Sequence, residues 1–292
     1  MAWDKKWFQY TILMIVALIW GSSFILMKIG LKSFTSSQTA AIRIVLASFV
    51  LLPYSFKNLK HLKKKDLPAL LVAGFIGSFF PAFLFTKAET QIDSAIAGML
   101  NSLTPVFTLI IGMAFLKIKS NWYQVLGLVL GLSGALGLIL SGAKISQGSF
   151  NGYALFIVLA TVFYAINTNQ IKTYLSHLTG IQITSLAFMF IGPVALIYLF
   201  TTDFTAALNT PNWGWHLGAI AVLAVFGTSL AMILVYSLLR YASAIYATSV
   251  TYIIPIFAIM WGAIDGEKIT LFHLLCMTVI LFGVYLTNRK SL

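Results

Sequence analysis

Acidic side chains are scarce in this 292-residue chain: seven Asp and Glu stand against nineteen Lys and Arg, and charged residues of all kinds make up only 9%. Soluble domains average roughly a quarter charged, and a chain that is 60% hydrophobic, with a mean hydropathy of +0.93, has too much apolar surface for a water-soluble core to hide. Cysteine occurs once, as Cys276, which excludes an intramolecular disulfide and a cysteine-rich metal site. The four histidines, His61, His177, His216 and His273, are scattered and give no metal-ligand spacing. Paired acids, a Ser-His arrangement and a phosphate-cradling glycine loop are also lacking, so the sequence offers an enzyme no machinery. No cofactor and no metal are expected.

What the chain has instead is apolar runs. A hydrocarbon slab about 30 Å thick needs roughly 20 apolar residues per helix, and such runs recur at about 8–28, 39–56, 67–86, 94–116, 122–140, 151–171, 180–200, 215–239, 244–264 and 271–287. The fold class is therefore an all-α polytopic membrane protein with ten transmembrane helices. The first run is longer than a signal-peptide apolar region and no small-residue cleavage site follows it, so a retained signal anchor is expected.

Basic residues set the orientation, because they are retained on the cytoplasmic side of short loops. With the N-terminus inside, Lys5, Lys6, Lys57, Lys60, Lys63, Lys64, Lys65, Lys117, Lys119, Lys172, Arg240, Arg289 and Lys290 are cytoplasmic, against Lys28, Lys32, Lys87, Lys144 and Lys268 outside. Thirteen against five favours cytoplasmic termini in a cell inner (plasma) membrane. The net charge of +12 has one dense cluster, Lys57 to Lys65, joining two apolar runs. Contact with anionic lipid explains it, and no reader motif supports nucleic-acid binding.

The sequence also repeats itself. Shifted by 150 residues, segment 84–112 falls on 234–262, pairing Leu84 with Leu234, Ala97 with Ala247, Pro105 with Pro255, Phe107 with Phe257 and Gly112 with Gly262. Nearer the start a shift of 144 places Trp20 on Tyr164, Lys28 on Lys172 and Gln38 on Gln182. Two units are expected, 1–142 and 143–292. Each has five crossings, an odd number, so the second enters the membrane upside down. Inverted repeats of this kind build alternating-access transporters.

These features resemble the drug/metabolite transporter superfamily, and within it the EamA domain. The resemblance covers essentially the whole chain. It rests on Trp20-Gly21 with Lys28 after it, Arg43, the two prolines Pro105 and Pro255, and Gly266-Glu267-Lys268-Ile269-Thr270, which is similar to the family's Gly-Glu-Arg-hydrophobic-Thr turn. In the first unit Lys117 stands where Glu267 stands in the second. The resemblance implies export of small organic metabolites such as amino acids. A multidrug exporter and a lipid-carrier flippase of the same superfamily remain open, as does a non-transporting membrane receptor. The expected partners are a small-molecule substrate and the lipid bilayer, with the chain acting as a monomer.

A site is expected where the prolines fall, because proline inside a helix removes the hydrogen bond to the carbonyl four residues earlier. Those carbonyls belong to Asn101 and Thr251. Irregular backbone at membrane depth is tolerated only where protein or water satisfies it, which groups Asn101, Thr104, Pro105, Thr251, Tyr252 and Pro255 around a central cavity. The alternative use of the prolines is a packing bend. The first and sixth helices are matched openers of the two units and add Trp20, Phe24, Tyr164, Asn167 and Gln170. Their aromatic rings suit a partly apolar, amphipathic solute.

Charge at membrane depth is costly and marks functional candidates. Lys28 and Lys172 lie near helix ends, where they can snorkel. Arg43 is permanently ionised and points to a structural pair or a carboxylate contact. Lys87 and Glu89 read as a solvated vestibule, and Glu267 as a helix cap, topology determinant or gate partner. Gating or charge pairing is thus assigned to Lys28, Arg43, Lys87 and Glu267. No Asp or Glu falls near the middle of a run, where proton pumps and many drug exporters hold a titratable carboxylate. That disfavours simple proton-for-drug exchange and leaves uniport, substrate exchange or another coupling group.

Overall fold

A computed structural model describes residues 2–116, 121–141 and 152–288. Lys117, Lys119, Lys144, Arg289, Lys290 and the expected boundary between the units lie outside the described residues. Within them, ten apolar helices follow the expected runs: α1 (Lys6–Gly30), α2 (Ser36–His61), α3 (Lys64–Ala88), α4 (Ser94–Phe115), α5 (Trp122–Leu140), α6 (Ala154–Tyr174), α7 (Gly180–Phe200), α8 (Trp213–Tyr241), α9 (Ala244–Ile264) and α10 (Leu271–Thr287). The first nine are long and apolar enough to cross a membrane, and the tenth is a slightly shorter apolar helix.

The second half repeats the packing of the first. Helix α1 packs on α8 and α9, as α6 packs on α3 and α4; α2 packs on α3 and α8, as α7 packs on α8 and α3. The pairs α2 with α7, α4 with α9 and α5 with α10 map onto themselves under exchange of the halves. A pseudo-twofold axis therefore relates the halves. Because five alternating crossings separate α1 from α6, the two run oppositely through the bilayer and the axis lies in its plane.

Local chemistry repeats as well. Thr35 and Gln38 form a capping box at the start of α2, and Thr179 and Gln182, 144 residues later, form the same box at the start of α7. Such a box satisfies backbone donors that a helix start leaves open. Helices α3 and α8 each widen into a π-helical stretch, over Phe75–Phe79 and Leu223–Leu230. Wide turns of this kind occur often at functional sites. Helices α4 and α9 are each interrupted: α4 breaks after Asn101 and resumes at Thr104, while α9 passes through a 3₁₀ turn over Ser249–Tyr252 before resuming at Ile254. Each proline sits in the first turn of the resumed segment, where its missing N–H breaks no helical bond.

Helices α5 and α10 pack against each other through bare backbone. A Cβ on Gly283 would meet the Gly131 amide nitrogen at 2.5 Å and the Gly127 carbonyl oxygen at 2.6 Å. Small residues allow this close approach in lipid. Neither helix supplies a residue to the wall of the central cavity, so this pair is a brace at the edge of the bundle.

Candidate functional site

The broken helices and the wide turns meet around one central cavity of about 790 Å³, a volume that includes open solvent. Of the residues singled out from the sequence, Trp20, Phe24, Arg43, Asn101, Thr104, Tyr164, Asn167 and Thr251 line it. The wall obeys the repeat: Trp20 faces the cavity as Tyr164 does, Asn101 as Thr251 does, and Phe85 as Val235 does. An aromatic run from Phe24 to Phe85 (5.8 Å between centroids) and on to Tyr164 (6.0 Å, stacked) forms one side.

Several polar contacts hold this wall in shape. The indole Nε1 of Trp20 donates to the Gly227 carbonyl in the π-helical stretch of α8 at 2.9 Å. One residue on, Thr228 Oγ1 accepts from Arg43 Nε at 2.6 Å and donates to the Leu223 carbonyl at 3.2 Å. Asn167 Nδ2 donates to the Tyr236 hydroxyl at 2.9 Å. Glycine is required at the two wide turns: a Cβ on Gly77 would strike the Asn167 amide, and one on Gly227 would come within 2.6 Å of Ser23 Oγ. Gly77 and Gly227 are 150 residues apart, and Ser23 and Asn167 are 144 apart, the same two registers that relate the halves.

Four residues expected in the substrate site stand outside the cavity wall. Pro105 and Pro255 are buried in helix packing. Gln170 Nε2 turns away to the Ala69 carbonyl at 3.0 Å, with a longer contact to Asn167 Oδ1 at 3.3 Å, so it positions the asparagine. The Tyr252 hydroxyl donates to the Val284 carbonyl of α10 at 3.1 Å. The carbonyls freed by proline are also occupied: Asn101 O accepts from Thr104 Oγ1 and Thr251 O accepts from Ser102 Oγ, both at 2.8 Å. The second bond ties α4 to α9 across the axis. The polar groups left to the cavity are therefore side chains; Asn101 Oδ1 has no hydrogen-bond partner and is sealed within the wall.

Met27, Phe85, Met232, Val235 and Tyr236 are among the other residues of the wall and were not singled out from the sequence. The 150-residue register would have found Val235 from Phe85. Nothing in composition distinguishes Met27 or Met232 from core methionines.

The charged residues form a second cluster at one end of the cavity. Lys28 Nζ lies 2.6 Å from Glu267 Oε1 and 2.7 Å from Asp265 Oδ2. Glu267 also accepts from Ser94 N (3.0 Å), Ser94 Oγ (2.7 Å) and Ala95 N (2.9 Å), at the start of α4. A helix start favours a carboxylate because its open N–H groups and dipole point there. Gly266, at φ +82, turns the chain back to deliver Glu267. Burial alone would raise the Glu267 pKa; hydrogen bonds from Lys28, Ala95 and Ser94 outweigh it and hold the carboxyl below its ordinary range.

The expected vestibule divides. Lys87 is exposed, with Nζ 5.8 Å from the centre of the Tyr153 ring. Glu89 is 7% exposed, and neither of its carboxyl oxygens has a hydrogen-bond partner. Burial, reinforced by the nearby Glu267 carboxylate, pushes its pKa well above the ordinary range against the opposing effects of Arg43 and Lys28. Two residues apart on a helix face differently, which is why one side chain reaches water and the other does not.

Twin inverted halves enclosing a polar and aromatic cavity at membrane depth define the class of membrane transporters. The model of the EamA-like transporter family matches twice, over residues 7–140 and 151–289, and the chain belongs to that family. A transporter of Archaeoglobus fulgidus is 28% identical over 98% of this chain and 99% of its own length. The inner membrane transporter YedA of Escherichia coli is 29% identical, over 93% of this chain and 87% of its own. A probable terminal-alkyne amino-acid exporter of Streptantibioticus cattleyicolor is 23% identical over 96% and 93%. One solved crystal structure, 13% identical, superposes with a TM-score of 0.65 over 95% of both chains and so shares the fold. The protein is a multi-pass membrane transporter, and its relatives' names support the inner membrane.

Proposed function

We propose that this transporter exports small amphipathic organic metabolites, amino acids among them, by alternating access about the central cavity. The observation that carries the reading is that one cavity is walled by equivalent residues of both halves, at the level of the two helix breaks. Rocking of one half against the other about such a site exposes it to each face in turn. The mixed wall, with Trp20, Phe24 and Tyr164 beside Asn101, Asn167 and Thr251, suits a solute with one apolar and one polar end. The amino-acid exporter among the relatives supports the substrate class from a distance, at 23% identity.

In this reading residues 1–142 and 143–292 are the two moving units and the chain works as a monomer. Both termini are cytoplasmic, supported by the excess of Lys and Arg on that side, and the Lys28–Glu267 cluster then closes the outer end. The test is counterflow in liposomes with purified protein and a panel of labelled amino acids and related metabolites, with and without a pH gradient. Counterflow of small amphipathic solutes without a pH gradient is the expected result. Coupling restricted to bulky cations would replace the reading with multidrug export, and absence of counterflow for every soluble solute would favour a flippase or receptor.

A further inference from the structure

Arg43 is the one ionised side chain in the cavity wall. It is 7% exposed, and its Nε donates to the neutral hydroxyl of Thr228. No carboxylate lies within ion-pair distance of it among the described residues, and its two terminal nitrogens have no hydrogen-bond partner there. Those nitrogens are also not among the sealed unpartnered atoms of the interior. They therefore face the cavity space.

A guanidinium cannot shed its proton in a protein, and an isolated buried charge costs several kcal/mol. The protein's own acids do not offset it. Glu267 and Asp265 are engaged by Lys28, Asp66 by His177, and Asp203 by Thr205. Glu89 is the acid that senses Arg43, yet neither of its carboxyl oxygens bonds the guanidinium or any other group. Among the described residues no carboxylate pairs with Arg43, which leaves its counter-charge to what occupies the cavity.

We infer that Arg43 is the anion anchor of the cavity and that its terminal nitrogens receive the carboxylate of the transported solute. The inference rests on the transport reading above and narrows its substrates to carboxylic acids. One positive charge in the wall matches one negative charge on the ligand; a phosphate ester carries about −1.5 to −2 near neutrality and would lack a second cation. The planar fork of arginine fits a carboxylate through two parallel hydrogen bonds. The aromatic side of Phe24, Phe85 and Tyr164 is left for the apolar remainder of the molecule.

The test uses the full-length protein, purified and compared with Arg43→Gln and Arg43→Lys, each checked for monodisperse elution. Thermal stability is measured against matched probes: 3-phenylpropanoate with 3-phenylpropanamide, L-phenylalanine with L-phenylalaninamide, and phenyl phosphate. In the wild type the acids should stabilise at concentrations about tenfold lower than their amides, since charge-assisted hydrogen bonds are roughly twice as strong as neutral ones. Arg43→Gln should erase that preference, and Arg43→Lys should keep part of it, which also serves if the glutamine variant does not fold. Equal stabilisation by acid and amide, no stabilisation by any acid, or a preference for phenyl phosphate overturns the inference. Counterflow without an acid preference would leave the transport reading intact and remove Arg43 from it. Acid binding that depends on Arg43 without counterflow would do the reverse.

Discussion

The two ends of the cavity are built on one pattern and closed differently. At one end Lys28 meets two carboxylates, and Glu267 binds the start of α4 through Ser94 and Ala95. At the other end its counterpart Lys172 donates a single bond to the Leu239 carbonyl at 2.8 Å, and the start of α9 is capped by its own Ser243. Equal halves with unequal closures teach that one repeated scaffold can be fastened by different chemistry at its two ends. Parting the Lys28 end breaks a half-buried ionic network; parting the Lys172 end breaks one hydrogen bond and ordinary packing.

The comparison is broken most severely by adding one methyl group. Gly77→Ala should destabilise the protein by about 3 kcal/mol and Gly227→Ala by about 1 kcal/mol, the range that overpacking spans. The Asn167 amide in the way of the first is pinned by Tyr236 and Gln170, whereas the Ser23 hydroxyl in the way of the second is held by one bond to the Ile19 carbonyl. Thermal denaturation of both variants in detergent checks the order, and equal effects would show that the wide turns yield alike.

The charged closure is removed by Glu267→Gln. Breaking one partner of a buried pair costs about 3–5 kcal/mol, and with Lys28 and Asp265 each 29% exposed about 2 kcal/mol is expected. Thiol labelling of a cysteine placed at Ser94 should rise in this variant. Lys172→Gln at the opposite end should cost no more than about 1 kcal/mol, as loss of a single hydrogen bond does. A Lys172 effect as large as that of Glu267 would erase the contrast.

Acidity separates two carboxyls near the charged end. The Glu267 pKa is depressed, so its contribution is fully present above the unfolded value of about 4.3 and is lost as pH falls through the folded value. The Glu89 pKa is raised, so its contribution is fully present below that unfolded value and is lost as pH rises through the folded one. Melting curves across this range should show the acid-side loss vanish in Glu267→Gln and the alkaline-side loss vanish in Glu89→Gln. Trp20→Phe should likewise cost only about 1 kcal/mol, for the bond to Gly227.

The sequence carried the helices well because each is an apolar run longer than a bilayer requires, and carried the breaks because proline states its own constraint. The repeat register placed Trp20 with Tyr164 and Asn101 with Thr251, and those pairs do face one cavity. The π-helical stretches were not legible, since Phe75–Phe79 and Leu223–Leu230 read as ordinary apolar helix. Side-chain direction was the other hidden quantity. Gln170 shares a face with Asn167 but is drawn off by the Ala69 carbonyl, Tyr252 turns to α10, and Glu89 folds inward while Lys87 reaches water.

The central claim is that the single cavity opens to both faces of the membrane in turn. It is tested most directly with Ser23→Cys, a lining position, in a Cys276→Ala background, labelled with a membrane-impermeant thiol reagent from either side of oriented vesicles. The account predicts labelling from both sides, with the fraction reached through the Lys28 end increased by Glu267→Gln. Labelling from one side alone, unchanged by that substitution and by added solute, would contradict it.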